Sequence, residues 1–303
     1  MSEKYDLIII GAGPAGMTAA LYASRSGLKT CIVESGAPGG KLLKTFHIEN
    51  YPGIKEMGGA ELAMVMFGQA LAFGAEYKAG EVVKVNKDKS VELLDGTILE
   101  SNCVLLATGT KERMLNIPGE QENVGKGVSF CAVCDGAFFR GKDVVVIGGG
   151  NSALEEAGFL TQFVNKLYIV IRRDQFRAEE KFQREVEENE KIEIIREHVP
   201  VEVLSDGKVT GIVLKNVKTG KIQTVDCSGI FPYVGSDPIS DCVKDLGVCN
   251  EHGYVIVDRN METAVKGVYA AGDVVDKQLR QVVTAVGEGA LVAQQAYKEV
   301  KEK

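Results

Sequence analysis

An α/β fold built from two copies of a strand, a glycine-rich turn and a helix is what this 303-residue sequence predicts. Three observations carry the prediction. The apolar stretch "KYDLIII" runs directly into "GAGPAG" and then "MTAALYASRSG", which reads as strand, turn and helix. The same order recurs at "KDVVVIGGGNSALEEAGFL", and the strand "KLYIVIRR" follows it. The length suits roughly two domains, and 45% hydrophobic with 25% charged residues is ordinary globular composition, enough to bury a sizeable core.

Composition also narrows the partners. The opening Met1-Ser-Glu-Lys-Tyr-Asp has neither the basic n-region nor the small-residue cleavage site of a signal peptide, which predicts a cytoplasmic protein. No apolar run approaches the ~18 residues that span a bilayer, and a net charge of -7 argues against nucleic acid or a membrane surface as partner. Small molecules or proteins remain. Seven cysteines in a chain without export signals do not suggest a disulfide framework. Cys31 in "KTCIVE" and Cys103 in "NCVLLA" sit in apolar strand-like runs and read as small hydrophobes. Cys227, Cys242 and Cys249 are read as inert.

The first unit carries all the parts of a dinucleotide-binding fingerprint. Gly11, Gly13 and Gly16 fall in G-x-G-x-x-G register, Pro14 and Ala15 open the helix, and Glu34 ends the next strand. An acidic residue there meets the hydroxyls of a free ribose, while the helix N-terminus offers amide donors to a pyrophosphate. In the second unit the turn is Gly148-Gly149-Gly150, Asn151 and Ser152 open the helix, and Ala153 takes the last small-residue position. Its following strand ends with Arg172 and Arg173, with Arg177 close behind. Cations in that place suit a ribose 2′-phosphate; a solvated charged turn is the alternative. One Rossmann-like unit thus fits FAD and the other NADPH.

Ahead of the second unit stands "SFCAVCDGAF", with Cys131 and Cys134 two residues apart. A C-x-x-C is half a zinc site, a redox disulfide or two core residues. Cys249-x-x-His252 would complete a Cys₃His zinc set, though it lies more than a hundred residues away, next to "GYVIVD", which reads as a strand. A flavin site, a nicotinamide site and a dithiol form an electron path from hydride donor to disulfide, so the redox reading is preferred and no metal is expected.

These residues, with "ENYPG" at 49–53, "ATG" at 107–109, "IPGE" at 117–120, "RRDQFR" and "GVYAAGDVVDKQLRQVVTAVGEGA" at 267–290, resemble the low-molecular-weight thioredoxin reductases over essentially the whole chain. The resemblance implies two three-layer Rossmann-like domains, the second inserted into the first: an FAD-binding domain at 1–113 and 242–303, and an NADPH-binding domain with the Cys pair at 114–241. It implies flavin contacts at Gly40, Lys41, Asn50, Thr108, Gly109, Gly272, Asp273, Arg280 and Gln281, and a homodimer. It also assigns Cys134 as the flavin-facing sulfur and Cys131 as the thiol that attacks a thioredoxin disulfide. Asp135 is the expected acid-base group, with an acidic helix cap as its alternative. One dithiol serving both a flavin and a protein partner implies a domain rotation.

Related families fit less well. Larger disulfide reductases carry their dithiol after the first ribose-binding strand, where "SGAPGGKLLKTF" has no cysteine. A flavin-dependent dithiol oxidase, or a reductase fed by another donor, has no need of the three arginines. Two departures stand out. Ile171 replaces the histidine usual before the arginine pair, and Lys41 replaces a glutamine after Gly39-Gly40.

Overall fold

The structure, a computed structural model, describes residues 4–301 other than 46, 47, 49 and 131, without the side chains of Lys44, Val133 and Cys134. The chain divides into two compact units, one of residues 1–111 with 237–303 and one of residues 112–236. In chain order the first unit begins with β1 (Lys4–Ile10), α1 (Pro14–Arg25), β2 (Thr30–Glu34), α2 (Gly59–Ala72), β3 (Glu76–Ala79), β4 (Val82–Val85), β5 (Val91–Leu93) and β6 (Ile98–Leu106), and β7 (Thr110–Glu112) leads out of it. The second holds α3 (Ala132–Asp135), β8 (Asp143–Ile147), α4 (Asn151–Leu160), β9 (Lys166–Ile171), α5 (Glu180–Glu187), β10 (Ile192–Arg196), β11 (His198–Ser205), β12 (Val209–Asn216), β13 (Ile222–Asp226) and β14 (Gly229–Pro232). After β15 (Ser236–Pro238) the chain completes the first unit with β16 (Val268–Ala270) and α6 (Val282–Lys301).

In the first unit the sheet runs β3-β2-β1-β6-β5-β4, with β16 also on β6. β1 lies between β2 and β6, parallel to both, so Ile8 faces Cys31 on one side and Val104 on the other. Both faces are covered. Leu7 and Ile9 join a cluster with Ala15, Ala19 and Ala20 of α1 and with Val292 and Ala293 of α6. Ile8 and Ile10 join Val91, Leu93, Val255 and Val274 on the other face. Burial from both sides is why "LIII" shows no alternation. Cys31 and Cys103 lie in these clusters as small core residues.

The second unit repeats the scheme with the parallel order β10-β9-β8-β14. Val144 and Val146 of β8 pack on Leu154, Ala157 and Leu160 of α4, whereas Val145 and Ile147 face Ile212 and Leu214 of β12 in the antiparallel β11-β12-β13 sheet. Helices cover one face of the parallel sheet and a second sheet the other, giving three layers. One expected element is absent as such. "GYVIVD" at 253–258 makes no ladder: Val255 forms single bridges to Cys249 and Val275, and the amide of Ile256 is taken by the Val248 carbonyl.

Helices α1 and α6 cross almost without side chains between them. A Cβ added to Gly289 would lie 2.2 Å from the Ala15 carbonyl oxygen, whereas one added to Gly287 of the same helix meets nothing within 4 Å. Gly289→Val is therefore expected to destabilise the protein by about 2 kcal/mol or more through overpacking. Gly287→Ala is expected to be neutral or to stabilise by up to about 1 kcal/mol, from helix propensity alone. Urea unfolding of both variants checks the contrast, and equal effects would mean that the helix crossing is not close.

Candidate active site

In the first unit the site grows from the end of β1. Gly11 has a φ of +106°, and an added Cβ would stand 2.4 Å from the Ala107 carbonyl oxygen. Gly16 is where a Cβ would be 2.0 Å from the carbonyl oxygen of Gly11, so the helix folds back against its own turn. Gly13 differs from both. Its φ of -79° suits any residue, and an added Cβ meets nothing within 4 Å. Neither backbone nor packing requires glycine there; space for a ligand against the backbone does. Helix α1 starts at Pro14 without a side-chain cap, which leaves the amides of its first turn, at Ala15 and Gly16, for an anion.

The neighbouring segments close on this turn. Glu34, at the end of β2, accepts the amide of Ala12 at 2.8 Å on Oε2 and that of Gly36 at 2.9 Å on Oε1, which fixes its carboxylate beside the turn. A Cβ on Gly40 would be 3.5 Å from Gly13 Cα, and one on Gly272 3.1 Å from Ala15 Cβ. Lys41 Nζ lies 3.8 Å from Asp273 Oδ2. The amide of Thr108 is 3.0 Å from the Cβ position of Gly11, and its hydroxyl donates to the Ile239 carbonyl at 2.5 Å. Gly109 accepts the Ile239 amide at 3.0 Å. Arg280 donates to the carbonyls of Asp273 and Val275, both at 3.2 Å, and stacks on Tyr254 with 4.4 Å between guanidinium carbon and ring centroid. Asn50 donates to Gln281 at 3.1 Å. The structure thus brings Gly40, Lys41, Thr108, Gly272 and Asp273 to the α1 N-terminus. Arg280 joins them through Asp273, and Asn50 and Gln281 meet each other. Glu49 of "ENYPG" lies outside the described residues.

In the second unit Gly148 has a φ of +144°, and an added Cβ would sit 2.3 Å from the Tyr233 carbonyl oxygen. Gly150 matches Gly13: its φ of -97° is ordinary, its Cβ position is open, and α4 begins behind it without a side-chain cap. The Asn151 side chain exchanges two 2.8 Å hydrogen bonds with Glu179, one to its carboxylate and one from its amide, so it is engaged within the protein. Ser152 is exposed in the first turn. Arg172, Arg173 and Arg177 are all exposed just beyond β9, and the Arg177 amide donates to the Gly149 carbonyl at 2.7 Å, tying that loop to the turn. Among the described residues no carboxylate pairs with any of the three guanidinium groups, although Arg184 and Arg196 nearby pair with Glu180 and Glu187.

Cys131 and the side chain of Cys134 lie outside the described residues. Around them the frame is clear. Asp135 ends α3 and makes no capping bond; its Oδ2 accepts the Ser129 hydroxyl at 2.6 Å. The amide of Ala132 donates to the Tyr233 hydroxyl at 3.1 Å, and burial pushes that phenol up. Glu156 of α4 stands one turn before Leu160, which lies 3.2 Å from the Cβ position of Gly136. Burial, with the Glu155 carboxylate adding to it, pushes the Glu156 carboxyl up to about 7, and its buried Oε2 has no hydrogen-bond partner among the described residues. Cys227 and Cys242 are pushed up to about 12 by burial and make poor nucleophiles. Among the described residues no three His, Cys, Asp or Glu side chains gather as metal ligands.

Sequence reasoning gave no role to Ser129, Tyr233, Glu156, Lys277 or Glu288. Ser129 was within reach of it, two residues ahead of the first cysteine, and Glu288 sits in "GEGA". Tyr233 carries no local signal, because its contact with Ala132 spans 101 positions.

Comparisons with known proteins agree with this geometry. The family model for pyridine nucleotide-disulphide oxidoreductases matches residues 5–289. The thioredoxin reductase of Bacillus subtilis is 44% identical over 307 residues, covering 100% of this chain and 97% of that protein. A bifunctional thioredoxin reductase/thioredoxin of Mycobacterium leprae is 45% identical over 294 residues, covering 95% of this chain and 64% of that protein. The crystal structure of Lactococcus lactis thioredoxin reductase in its FR conformation superposes with a TM-score of 0.94 at 47% identity, over 99% of this chain and 100% of that one.

Glu156 gives the site a pH signature. Burial pushes its carboxyl up to about 7 from an ordinary 4.5, so the protonated form is the one folding favours. That stability is fully present below pH ~4.5 and is lost as pH rises through ~7. Between pH 5 and 8 this group is expected to remove about 2 kcal/mol of stability, a slope that Glu156→Gln abolishes. Urea titrations at the two pH values test it; identical slopes in wild type and variant would place the group in water.

Proposed function

We propose, because this chain belongs to the pyridine nucleotide-disulphide oxidoreductase family, that it is a thioredoxin-disulfide reductase drawing electrons from NADPH through FAD and the Cys131–Cys134 pair. The observation that carries the reading is the pair of open glycine turns, at Gly13 and Gly150, each at an uncapped helix start. Gly11, Gly13, Pro14, Ala15, Gly16 and Glu34 hold the adenosine and pyrophosphate end of FAD, and Gly272 and Asp273 its ribityl and phosphate region. Gly40, Lys41, Asn50, Thr108, Gly109, Arg280 and Gln281 line the remainder. Gly150, Asn151 and Ser152 take the pyrophosphate of NADPH, and Arg172, Arg173 and Arg177 its 2′-phosphate. Bound FAD supplies the two-electron relay between the nicotinamide hydride and sulfur.

The sulfur chemistry belongs to the chain's own residues. Reducing the Cys131–Cys134 disulfide consumes two electrons and two protons. The Cys131 thiolate then attacks the partner's disulfide and forms a mixed disulfide, which Cys134 resolves to return the partner as a dithiol. Asp135, with Ser129 on one of its oxygens, moves the protons that these exchanges require. The fused thioredoxin in the Mycobacterium leprae relative's name supports a thioredoxin as the partner. No helix among the described residues is long and apolar enough to cross a membrane, and the net charge of -7 does not suit nucleic acid. We place the protein in the cytoplasm as a homodimer, following the resemblance to the family.

Two experiments test the reading. Cys131→Ser and Cys134→Ser are each expected to abolish turnover with a thioredoxin while flavin bleaching by NADPH in a stopped-flow cell persists, since only the second half-reaction uses sulfur. Thioredoxin reduction retained by either variant would assign the chemistry to another thiol pair.

The second concerns the donor. A guanidinium-phosphate contact contributes about 1.5 to 3 kcal/mol, so two contacts favour NADPH over NADH by roughly a hundredfold or more in kcat/KM. Arg172→Ala/Arg173→Ala is expected to erase that preference with little change toward NADH. Equal use of both cofactors by the wild type would make the arginines a solvated turn.

A further inference from the structure

We infer that the Lys277–Glu288 ion pair is the positioning clamp that sets the turn at Gly272–Asp273 for the flavin; the inference rests on the flavin reading above. Glu288 Oε2 accepts the backbone amide of Gly272 at 2.8 Å and Lys277 Nζ at 2.8 Å, and its Oε1 accepts the same ammonium at 2.9 Å. Side-chain exposures of 13% and 17% set the pair apart from Lys41–Asp273 at 45% and 24%, or Arg184–Glu180 at 72% and 90%. A pair so far withdrawn from water, with one partner also bonded to backbone, keeps a fixed geometry in a way that an exposed pair does not.

Its place in the fold gives the pair its role. Gly289, the next residue on α6, presses on the Ala15 carbonyl, and Gly272 lies against the Ala15 side chain. Glu288 therefore spans from the helix that packs on the first turn of α1 to the turn that borders the same spot. Arg280 fixes that turn through the carbonyls of Asp273 and Val275. Glu288 fixes it through the one amide, at Gly272. Without Glu288 the Gly272 amide loses its acceptor and Lys277 is left largely buried without its anion. The charge itself is required: in Glu288→Gln the amide oxygen still serves Gly272, but an NH₂ donor faces the Lys277 ammonium. Lys277→Met removes the cation from the other side and leaves the Gly272 contact available.

The test follows flavin release from the purified holoprotein by the rise in free FAD fluorescence after dilution. Release is expected to be at least tenfold faster in both Glu288→Gln and Lys277→Met. The double variant is expected to be no faster than the faster single, because the two groups act as one unit. NADPH affinity, read by nicotinamide fluorescence, is expected to stay within twofold in both, since Gly148–Gly150 belong to the other unit; this separates a loosened turn from a lost fold. A wild-type protein that carries no flavin overturns the flavin reading and the clamp with it. A wild type that holds FAD beside variants that release it at the wild-type rate overturns the clamp alone, as would additive effects in the double variant. If Glu288→Gln cannot be purified folded, the Lys277→Met rate decides by itself.

Discussion

An α-helix whose first turn must stay uncapped has to be held in place by something other than a cap, and that constraint organises both units. A serine or aspartate at Gly13 or Gly150 would satisfy the first-turn amides and give the helix about a few tenths of a kcal/mol, but it would occupy the space an anion needs. The protein gives up that stabilisation twice. In its place the helices are located by backbone contact. Gly16 lies against the Gly11 carbonyl and Gly289 against that of Ala15. In the second unit Gly148 lies against the Tyr233 carbonyl, and the Gly149 Cβ position is 3.0 Å from the Ile171 side chain. The three contacts with carbonyl oxygens leave no room for an added methyl group, so the helix ends are positioned more tightly than side-chain packing alone would achieve.

The charges around the two turns follow from the same arrangement. Beside the first turn the charged groups are engaged with one another or with backbone: Glu34 holds two amides, Lys41 meets Asp273, Arg280 is spent on carbonyls and a ring, and Lys277 is locked to Glu288. A site so balanced suits a cofactor that stays in place. Beside the second turn three arginines stand exposed, with no carboxylate among the described residues paired to them. Lys41 fits the first pattern, because the cation that departs from the family's glutamine is set against Asp273.

Much of this was legible in the sequence because it is local. A strand, a glycine triplet in register, a helix and a terminal acid or base lie within some thirty residues, and each has a period or a spacing that marks it. The resemblance located Gly272, Asp273 and Arg280 by their order along the chain. What pairing alone decides was not legible. "GYVIVD" has the composition of a strand, yet only Val255 finds neighbours to bridge, since pairing partners come from segments that composition does not specify. Lys277 and Glu288 look like ordinary charges on a polar loop and a helix. Their burial depends on how α6 meets the turn before it, and no periodicity carries that information. Asp135 reads in the sequence as an acid-base group or a helix cap; in the fold its Oδ2 accepts from Ser129, and it makes no capping bond to the helix it precedes.

Ile171 shows how a departure from a family's pattern can fall on a buried position beside exposed charges. The residue before an arginine pair at a strand's end is read in one dimension as part of the same polar group. In the fold Ile171 is the last residue of β9 and is buried, whereas the arginines lie past the strand's end. Ile171 is buried in the cluster with Phe176, Ala153 and Leu154, under Gly149, while Arg172 and Arg173 beyond it are exposed. A branched aliphatic side chain there fills the space beneath the turn without an unpaired ring nitrogen. The arginine pair lies past the end of β9, so the substitution falls in the buried cluster and not among the exposed charges. The glycine above it sets a limit on this exchange. With 3.0 Å between Ile171 Cγ2 and the Gly149 Cβ position, a larger residue in the middle of the turn would require the Ile171 side chain to give by a few tenths of an ångström.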